Sequence, residues 1–431
     1  MNVLKTNNTN EKVRQLQRKL YQSAKRSKER RFHALYDKIS RKDVLLSAWS
    51  QVKSNGGSAG IDGQTIKEIE AYGIERIVEE LQAKLEGNSY NPPPVKRVNI
   101  PKSDGSKRPL GIPTVKDRIV QGAMKIVIEP IFESDFKESS YGFRRMRNQH
   151  QALDKIRKAC NRYGEYVLDC DIKGYFNNIK HDKLMLLIEK RISDKRVKKL
   201  LMKWLKSGVM EGGYYSESNK GSPQGGVISP LLSNIYLNYL DTVWEKHFSY
   251  LGDLVRFADD FVIVCKNHKD VMKSFEVVKL IMNRLELELN MEKTKVVTLC
   301  DGKEGFEFLG FEIRRVKKWT RDNKAYQTMD MWICKSKQKA IREVVKSTLN
   351  RSTLYRDVKE MIVKLNRKIN GWRGYYGISS ERILAKLDRY IQMRLVYWFN
   401  TKKQRRSKRY AYFKRIKLFR DLGLKSLLYT S

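Results

Sequence analysis

No part of this 431-residue chain holds the roughly 18–20 consecutive apolar residues that a bilayer-spanning helix needs. The N-terminus, MNVLKTNNTNEKVRQ, also lacks a secretory apolar core, so an intracellular protein is expected. Cysteine is scarce: Cys160, Cys170, Cys265, Cys300 and Cys334 are scattered, odd in number and form no CxxC. That pattern argues against a disulfide framework and a zinc cluster, and reads as small buried apolar residues. The Gly-rich stretch SNGGSAGIDG (54–63) lacks the Gly-Lys-Ser/Thr that closes a Walker phosphate loop. There is no Ser/His/Asp or Cys/His nucleophile signature. Negative charge is short too, with 48 acids against 88 Lys and Arg and a net charge of +40. Compacting that much positive charge is self-repulsive unless a polyanion neutralises it, and nucleic acid is the natural candidate. A membrane surface fits less well, because the basic residues run along the whole chain and do not flank an apolar helix.

What is present suffices for a folded protein. An apolar content of 41% with 10% aromatics can build a core, and the length implies several subdomains. Composition shifts near residues 165 and 325. Residues 1–10 are polar and expected to lie outside ordered structure, with a basic amphipathic helix from Glu11. VKRVNIPKSDGSKRPLGIP, after the prolines at 92–94, alternates and turns at Asp104-Gly105, which predicts a hairpin with Lys102 on one arm and Arg108 on the other. Helical patterns are expected over about 117–136, 183–209 and up to about 288, and from about Ser336 the chain reads as wholly helical and basic. There Ile383, Leu384, Leu387, Ile391 and Leu395 form one apolar face behind Ser380, a candidate N-cap.

The acids are few and well placed. In LVRFADDFVIV (254–264), Asp259 and Asp260 fall between two apolar runs, which predicts a hairpin with both carboxylates at its tip. This is either an ordinary Asp-containing turn or a site where a cation offsets like-charge repulsion. EYVLDCDIKGYF (165–176) reads as a buried strand ending in Asp171, with Asp169 on the same face as a supporting acid. Three carboxylates on strand ends suit two-metal nucleotidyl transfer, in which positioning and charge stabilisation do the work and no protein nucleophile is required. Mg²⁺ suits such a site, because it takes only one or two protein carboxylates and leaves room for phosphates.

The ordered set DIKGYF (171–176), SPQGGVISP (222–230), FADD (257–260), NMEKTK (290–295) and FLGF (308–311) resembles the motifs of reverse transcriptases. SNGGSAGIDG, IPKSDGSKRPLGIP, SYGFR and INGWRGYY (369–376) narrow the resemblance to the group II intron reverse transcriptase/maturase, in its compact bacterial form without an endonuclease domain. The resemblance implies an α+β right-hand polymerase with an antiparallel palm sheet and a helical thumb. Its parts would be a basic N-terminal extension (1–50), fingers (51–164), palm (165–324) and thumb or maturase region (325–431). It implies metal ligation by Asp171, Asp259, Asp260 and the Ile172 carbonyl, with two Mg²⁺ ions, or Mn²⁺ in their place. It places Lys102, Arg108, Phe176, Gln224, Gly225 and Lys293 at the dNTP, with Phe176 otherwise a core aromatic and Lys293 otherwise a surface lysine. It gives Arg144 a template contact. Phe257 stands where a Tyr is common, Asn177 where an Asp is frequent, and Arg145-Met146 follow YGFR where a proline is usual. None of these departures removes a carboxylate.

Trp372, Arg373, Lys402, Lys403, Arg405 and Arg406 combine rings and charge suited to RNA, although the rings fit a helical core equally well. The expected function is RNA-directed DNA synthesis on an RNA template with a DNA primer, together with binding of structured intron RNA to assist splicing and retrohoming. The expected location is the bacterial cytoplasm. The alternatives are an RNA-binding splicing cofactor with an unused polymerase site, or a domesticated reverse transcriptase serving defence or repair.

Overall fold

The computed structural model describes residues 2–101, 105, 107–211, 214–216, 221, 225–320, 322–405, 407 and 409–428, with side chains from residue 10 onward. Lys102, Gln224 and Arg406 lie outside the described residues. The fold mixes helices with largely antiparallel sheets, and the chain divides into two compact units, 1–152 with 168–295 and 153–167 with 296–431.

In the first unit, helices α1 (Asn2–Arg26), α2 (Tyr36–Ile39), α3 (Lys42–Asn55), α4 (Ile66–Tyr72) and α5 (Ile74–Glu86) lead to strands β1 (Val95–Pro101) and β2 (Lys107–Ile112). α1 begins at Asn2, well before the expected Glu11. β1 and β2 form the expected antiparallel hairpin, in which Ile100 pairs with Arg108. α6 (Val115–Glu133) is buried almost all round and packs against both α1 and α3. Two small residues, Gly122 and Ala48, let α3 and α6 approach closely: a Cβ added at Gly122 would sit 3.1 Å from that of Ala48. Pro130 has no N–H to give the Ile126 carbonyl one turn earlier. Gln17 of α1 supplies the missing donor, its Nε2 at 3.0 Å from that oxygen, so the interruption in α6 helps fix where α1 docks.

The chain then runs through α7 (Gln149–Arg162), most of which belongs to the second unit, and on through β3 (Tyr166–Cys170), α8 (Tyr175–Asn178), α9 (His181–Glu189), α10 (Lys195–Lys206), β4 (Val209–Glu211) and β5 (Tyr214–Ser216). The helical stretch expected over 183–209 is thus two helices. Asp194 divides them, capping α10 through the Arg196 and Val197 N–H groups while accepting from Leu35 and Tyr36. α11 (Ser229–His247), β6 (Asp253–Phe257), β7 (Asp260–Cys265) and α12 (His268–Arg284) complete the unit, with β6, β7 and β3 adjacent in that order in one sheet. β8 (Lys295–Thr298) carries the chain into the second unit.

There, β9 (Gly305–Phe308), β10 (Phe311–Trp319) and β11 (Ala325–Ile333) form an antiparallel sheet. Helices α13 (Lys335–Thr348), α14 (Val358–Tyr376), α15 (Glu381–Lys402) and α16 (Tyr412–Asp421) share one apolar core. Leu384, Leu387, Ile391 and Leu395 are buried in it, as their spacing predicts. Ser380 does stand at the N-cap of α15, but no side-chain capping bond is made. Four of the five cysteines are buried and none forms a disulfide. Among the described residues, no helix is long and apolar enough to cross a membrane.

Candidate active site

Asp171 is the first residue past β3, and the turn at 288–294 fixes its backbone. Its N–H donates to the Thr294 hydroxyl at 3.3 Å, and its carbonyl accepts from the Asn290 N–H at 2.8 Å. The next residue, Ile172, bridges to Leu289, and the Lys173 N–H donates to the Glu288 carbonyl at 2.9 Å. Ile172 is buried, and its backbone carbonyl is the one group it could offer a metal. Lys293, in the same turn, is exposed and holds its ammonium 3.9 Å from the Asp171 carboxylate.

Asp259 and Asp260 occupy the tip of the β6–β7 hairpin, where Phe257 pairs with Asp260 across a turn made by Ala258 and Asp259. Ala258 has a left-handed backbone, φ +60°, which costs a non-glycine residue on the order of 1 kcal/mol. A fully buried cation holds it there. Arg256 Nη1 donates to the Ala258 carbonyl at 2.8 Å and to Asn234 Oδ1 at 3.2 Å, Nη2 donates to the Ser140 hydroxyl at 2.8 Å, and Nε donates to Asp241 Oδ1 at 2.9 Å. Asp241 is itself fully buried. The loop at 139–142 lies against the same strand: the Arg256 N–H donates to the Ser139 carbonyl and the Tyr141 N–H to the Arg256 carbonyl. Gly142 is obligatory here, because a Cβ at that position would meet the Ala258 nitrogen at 2.4 Å.

Because β3 neighbours β7, the three carboxylates share one field. Burial raises the Asp259 pKa; the backbone and the Arg108 guanidinium pull it down, and Asp171 pushes it up again. Solvent reaches Asp260, yet the protein crowded around it, and then the charges of Asp259, Asp171 and Asp169, push its carboxyl up to about 6. Among the described residues, no three acidic, His or Cys side chains stand close enough to enclose one ion. An open arrangement of mutually repelling carboxylates still fits Mg²⁺, which keeps water and phosphate oxygens in most of its coordination positions.

Other expected site residues gather around the acids. Arg108, on exposed β2, is close enough for its charge to act on Asp259. Gly225 has φ +114°, and a Cβ there would strike the Gly111 carbonyl of β2 at 2.5 Å, so its backbone rests directly on the strand that carries Arg108. Phe176 is half-buried on α8, edge-on to Tyr175 at 5.2 Å between ring centroids. The Tyr175 hydroxyl donates to the buried Ser233 carbonyl at 2.8 Å, anchoring the turn. Behind Gly225, the Ile228 N–H donates to Gln121 Oε1 at 3.3 Å. Gln121 Nε2 donates in turn to the buried Asp117 carboxylate, which also accepts from Tyr90 and Trp204.

Arg144, expected at the template, turns inward. It is buried, its Nε and Nη2 are on Glu133, and its Nη1 is on the carbonyls of Lys137 and Ser140. Those bonds make it an anchor for the 139–142 loop. In the second unit, Trp372 packs partly buried against the helical core, so much of its ring is spent on packing. Arg373 is half-buried on α14, and Lys402 donates to the Leu354 carbonyl at 2.6 Å. Lys403 and Arg405 are exposed just past α15.

Arg256, Asp241, Asn234 and Gly142 were missed from the sequence. The available signal was an arginine inside an apolar strand and an aspartate inside a largely apolar helix, a pairing that burial makes compulsory.

Residues 100–313 match the family described as reverse transcriptase (RNA-dependent DNA polymerase), and residues 338–417 match the group II intron maturase-specific domain. The chain is 36% identical to the protein YkfC of Escherichia coli, over 70% of this chain and 88% of that protein. It is 30% identical to the group II intron-encoded protein LtrA of Lactococcus lactis, over 81% of this chain and 71% of that one. A nuclear intron maturase of Arabidopsis thaliana that carries a mitochondrial label is 26% identical over 47% of this chain and 24% of its own length.

Proposed function

Because the chain belongs to the family of group II intron-encoded reverse transcriptases and maturases, its RNA-directed DNA polymerase activity is a premise, and we propose that Asp171, Asp259 and Asp260 are the carboxylates that carry it. The supporting observation is that acids 88 positions apart in sequence lie in one another's field at the end of one sheet. In this reading residues 51–164 act as fingers, 165–324 as palm and 325–431 as thumb and intron-RNA-binding region, with 1–50 as a basic extension.

Reverse transcriptases use divalent metal ions, and Asp171, Asp259, Asp260 and the Ile172 carbonyl would hold two, with Mg²⁺ the expected ion. Ions held there would supply Lewis acidity toward the primer 3′-hydroxyl and offset the charge on the pyrophosphate. The chain's own residues do the rest. Arg108 grips the triphosphate, with a forked guanidinium suited to phosphate oxygens, and Lys102 shares that role. Phe176 packs beneath the incoming sugar and excludes a 2′-hydroxyl, while Gln224 and Gly225 border the nucleotide. Lys293, already beside Asp171, is placed to give a proton from Nζ to the pyrophosphate. Buried Arg256 acts as a positioning residue, presetting the turn that aims Asp259 and Asp260. The second unit, with Lys403, Arg405 and Arg406 past α15, contacts intron RNA.

The direct test is extension of a DNA primer annealed to an RNA template, with and without Mg²⁺. Ion-dependent cDNA synthesis is expected, and its absence from folded, RNA-binding protein would refute the reading. A companion prediction concerns Gly225. In Gly225→Ala the new methyl group collides with β2, so the KM for dNTP should rise about ten-fold or more while the primer–template affinity stays as it was. Single-nucleotide incorporation kinetics would show it, and an unchanged KM would detach Gly225 from the nucleotide.

A further inference from the structure

The β10–β11 ribbon extends well beyond the sheet that supports it. β9 pairs with β10 only as far as Arg314, whereas β10 and β11 stay paired out to Trp319 and Ala325. At the base the ribbon is anchored: Arg315 Nη2 donates to the Cys160 and Gly164 carbonyls, and the Met329 N–H donates to Asn161 Oδ1 at 2.8 Å. Beyond Val316 on one strand and before Thr328 on the other, every described residue is exposed on both faces. A two-stranded ribbon of this kind has little stability of its own.

Its side-chain pattern is unusual. The row Phe311, Ile313, Arg315, Lys317, Trp319 lies on one face by strand alternation. The first two are fully buried, so this is the core-facing row, and Trp319 continues it past the point where core exists. It is 62% exposed, and Tyr326 on the opposite face is 46% exposed. The Lys317 ammonium lies 5.0 Å from the Trp319 ring centroid. Residues 314–327 hold six Lys or Arg and one acid. A large ring without a core to fill, carried among cations, suits a polyanion that also offers flat apolar faces.

We propose that the tip of this ribbon is a binding site for single-stranded RNA, with an unpaired base stacked on Trp319 and the flanking phosphates held by Lys317 and Lys324. Single strands are favoured over duplex because only an unpaired base can present its whole face to a side chain, and stacking of this kind tolerates any base. The proposal rests on the reading of the chain as an RNA-binding reverse transcriptase and assigns part of that binding to a definite element.

The test uses the full chain and a labelled 12-nucleotide single-stranded RNA of mixed sequence, half of whose uridines are 4-thiouridine. Trp319→Ala should weaken its binding about five- to twenty-fold, Trp319→Phe should retain most of it, and photocrosslinks should map to 317–326. A Lys317→Ala/Lys324→Ala double substitution should flatten the salt dependence of binding by about two charges. If Trp319→Ala binds like the parent, or if only the lysine changes matter, stacking is refuted. If Trp319→Ala instead abolishes self-association, the ribbon tip is a protein contact and the proposal falls. Primer extension on a pre-annealed template, measured on the same proteins, reports separately on the polymerase reading: its loss in the parent would overturn that reading, whereas unchanged RNA binding in Trp319→Ala would overturn only this one.

Discussion

Asp259→Asn is expected to lower single-turnover primer extension by about 10³-fold or more, because the amide keeps the shape of the carboxylate and removes the charge that would hold the ions. Intron RNA binding should survive, since the basic second unit is untouched. Stability should move the other way. Burial holds the Asp259 pKa above its usual 3.8, so the folded protein is penalised for ionising it. That penalty applies above the usual value and fades as pH falls toward it, where the folded and unfolded states are both protonated. Ion-free Asp259→Asn should therefore melt somewhat higher than the parent at pH 7, and the gain should shrink as the solution is acidified. Rapid-quench kinetics beside melting curves from pH 7 down to 4.5 would check both halves. Extension close to parental rates would remove Asp259 from the chemistry.

Arg256→Met is the second large effect. The substitution leaves Asp241 buried without its cation, and breaking such a pair by removing one partner costs about 3–5 kcal/mol. The single variant should be strongly destabilised, read as a drop in denaturant midpoint. Replacing both partners, in Arg256→Met with Asp241→Leu, exchanges the ion pair for apolar packing and should recover most of that loss. Synthesis should not recover with it. Without the guanidinium, nothing holds the Ala258 carbonyl in its left-handed turn, and kcat should remain at least about ten-fold low with little change in KM for dNTP. Full recovery of kcat in the double variant would mean that Arg256 only stabilises the fold.

These results would also mark where sequence reasoning succeeded and where it could not. The acid pair was legible because apolar runs on both sides of two carboxylates leave few alternatives to a hairpin tip, and β6 and β7 flank them as expected. The Arg108 hairpin was legible from alternation and a Gly turn. The face of α15 was legible from helical spacing. What failed depended on partners distant in sequence. Arg144 looks like an exposed cation in a basic loop until Glu133, at the end of α6, is brought to it. Arg256 looks like a charge in the wrong place until Asp241 and the Ala258 carbonyl surround it. β11 went unread because AYQTMDMWI is mixed in polarity, and its strand identity comes from pairing with β10, whose tip reaches past the core. The start of α1 was missed because its first residues are polar, and the helix continues from the better-patterned segment after them.

The central claim is that residues 171, 259 and 260 together hold divalent ions. Mn²⁺ diffused into crystals of the protein with primer, RNA template and a non-hydrolysable dNTP would test it through anomalous scattering. The account predicts anomalous peaks touching carboxylate oxygens of Asp171 and of the Asp259–Asp260 pair, and none at that place in Asp259→Asn. Ions seated elsewhere, with the Asp171 carboxylate turned away from both, would contradict it.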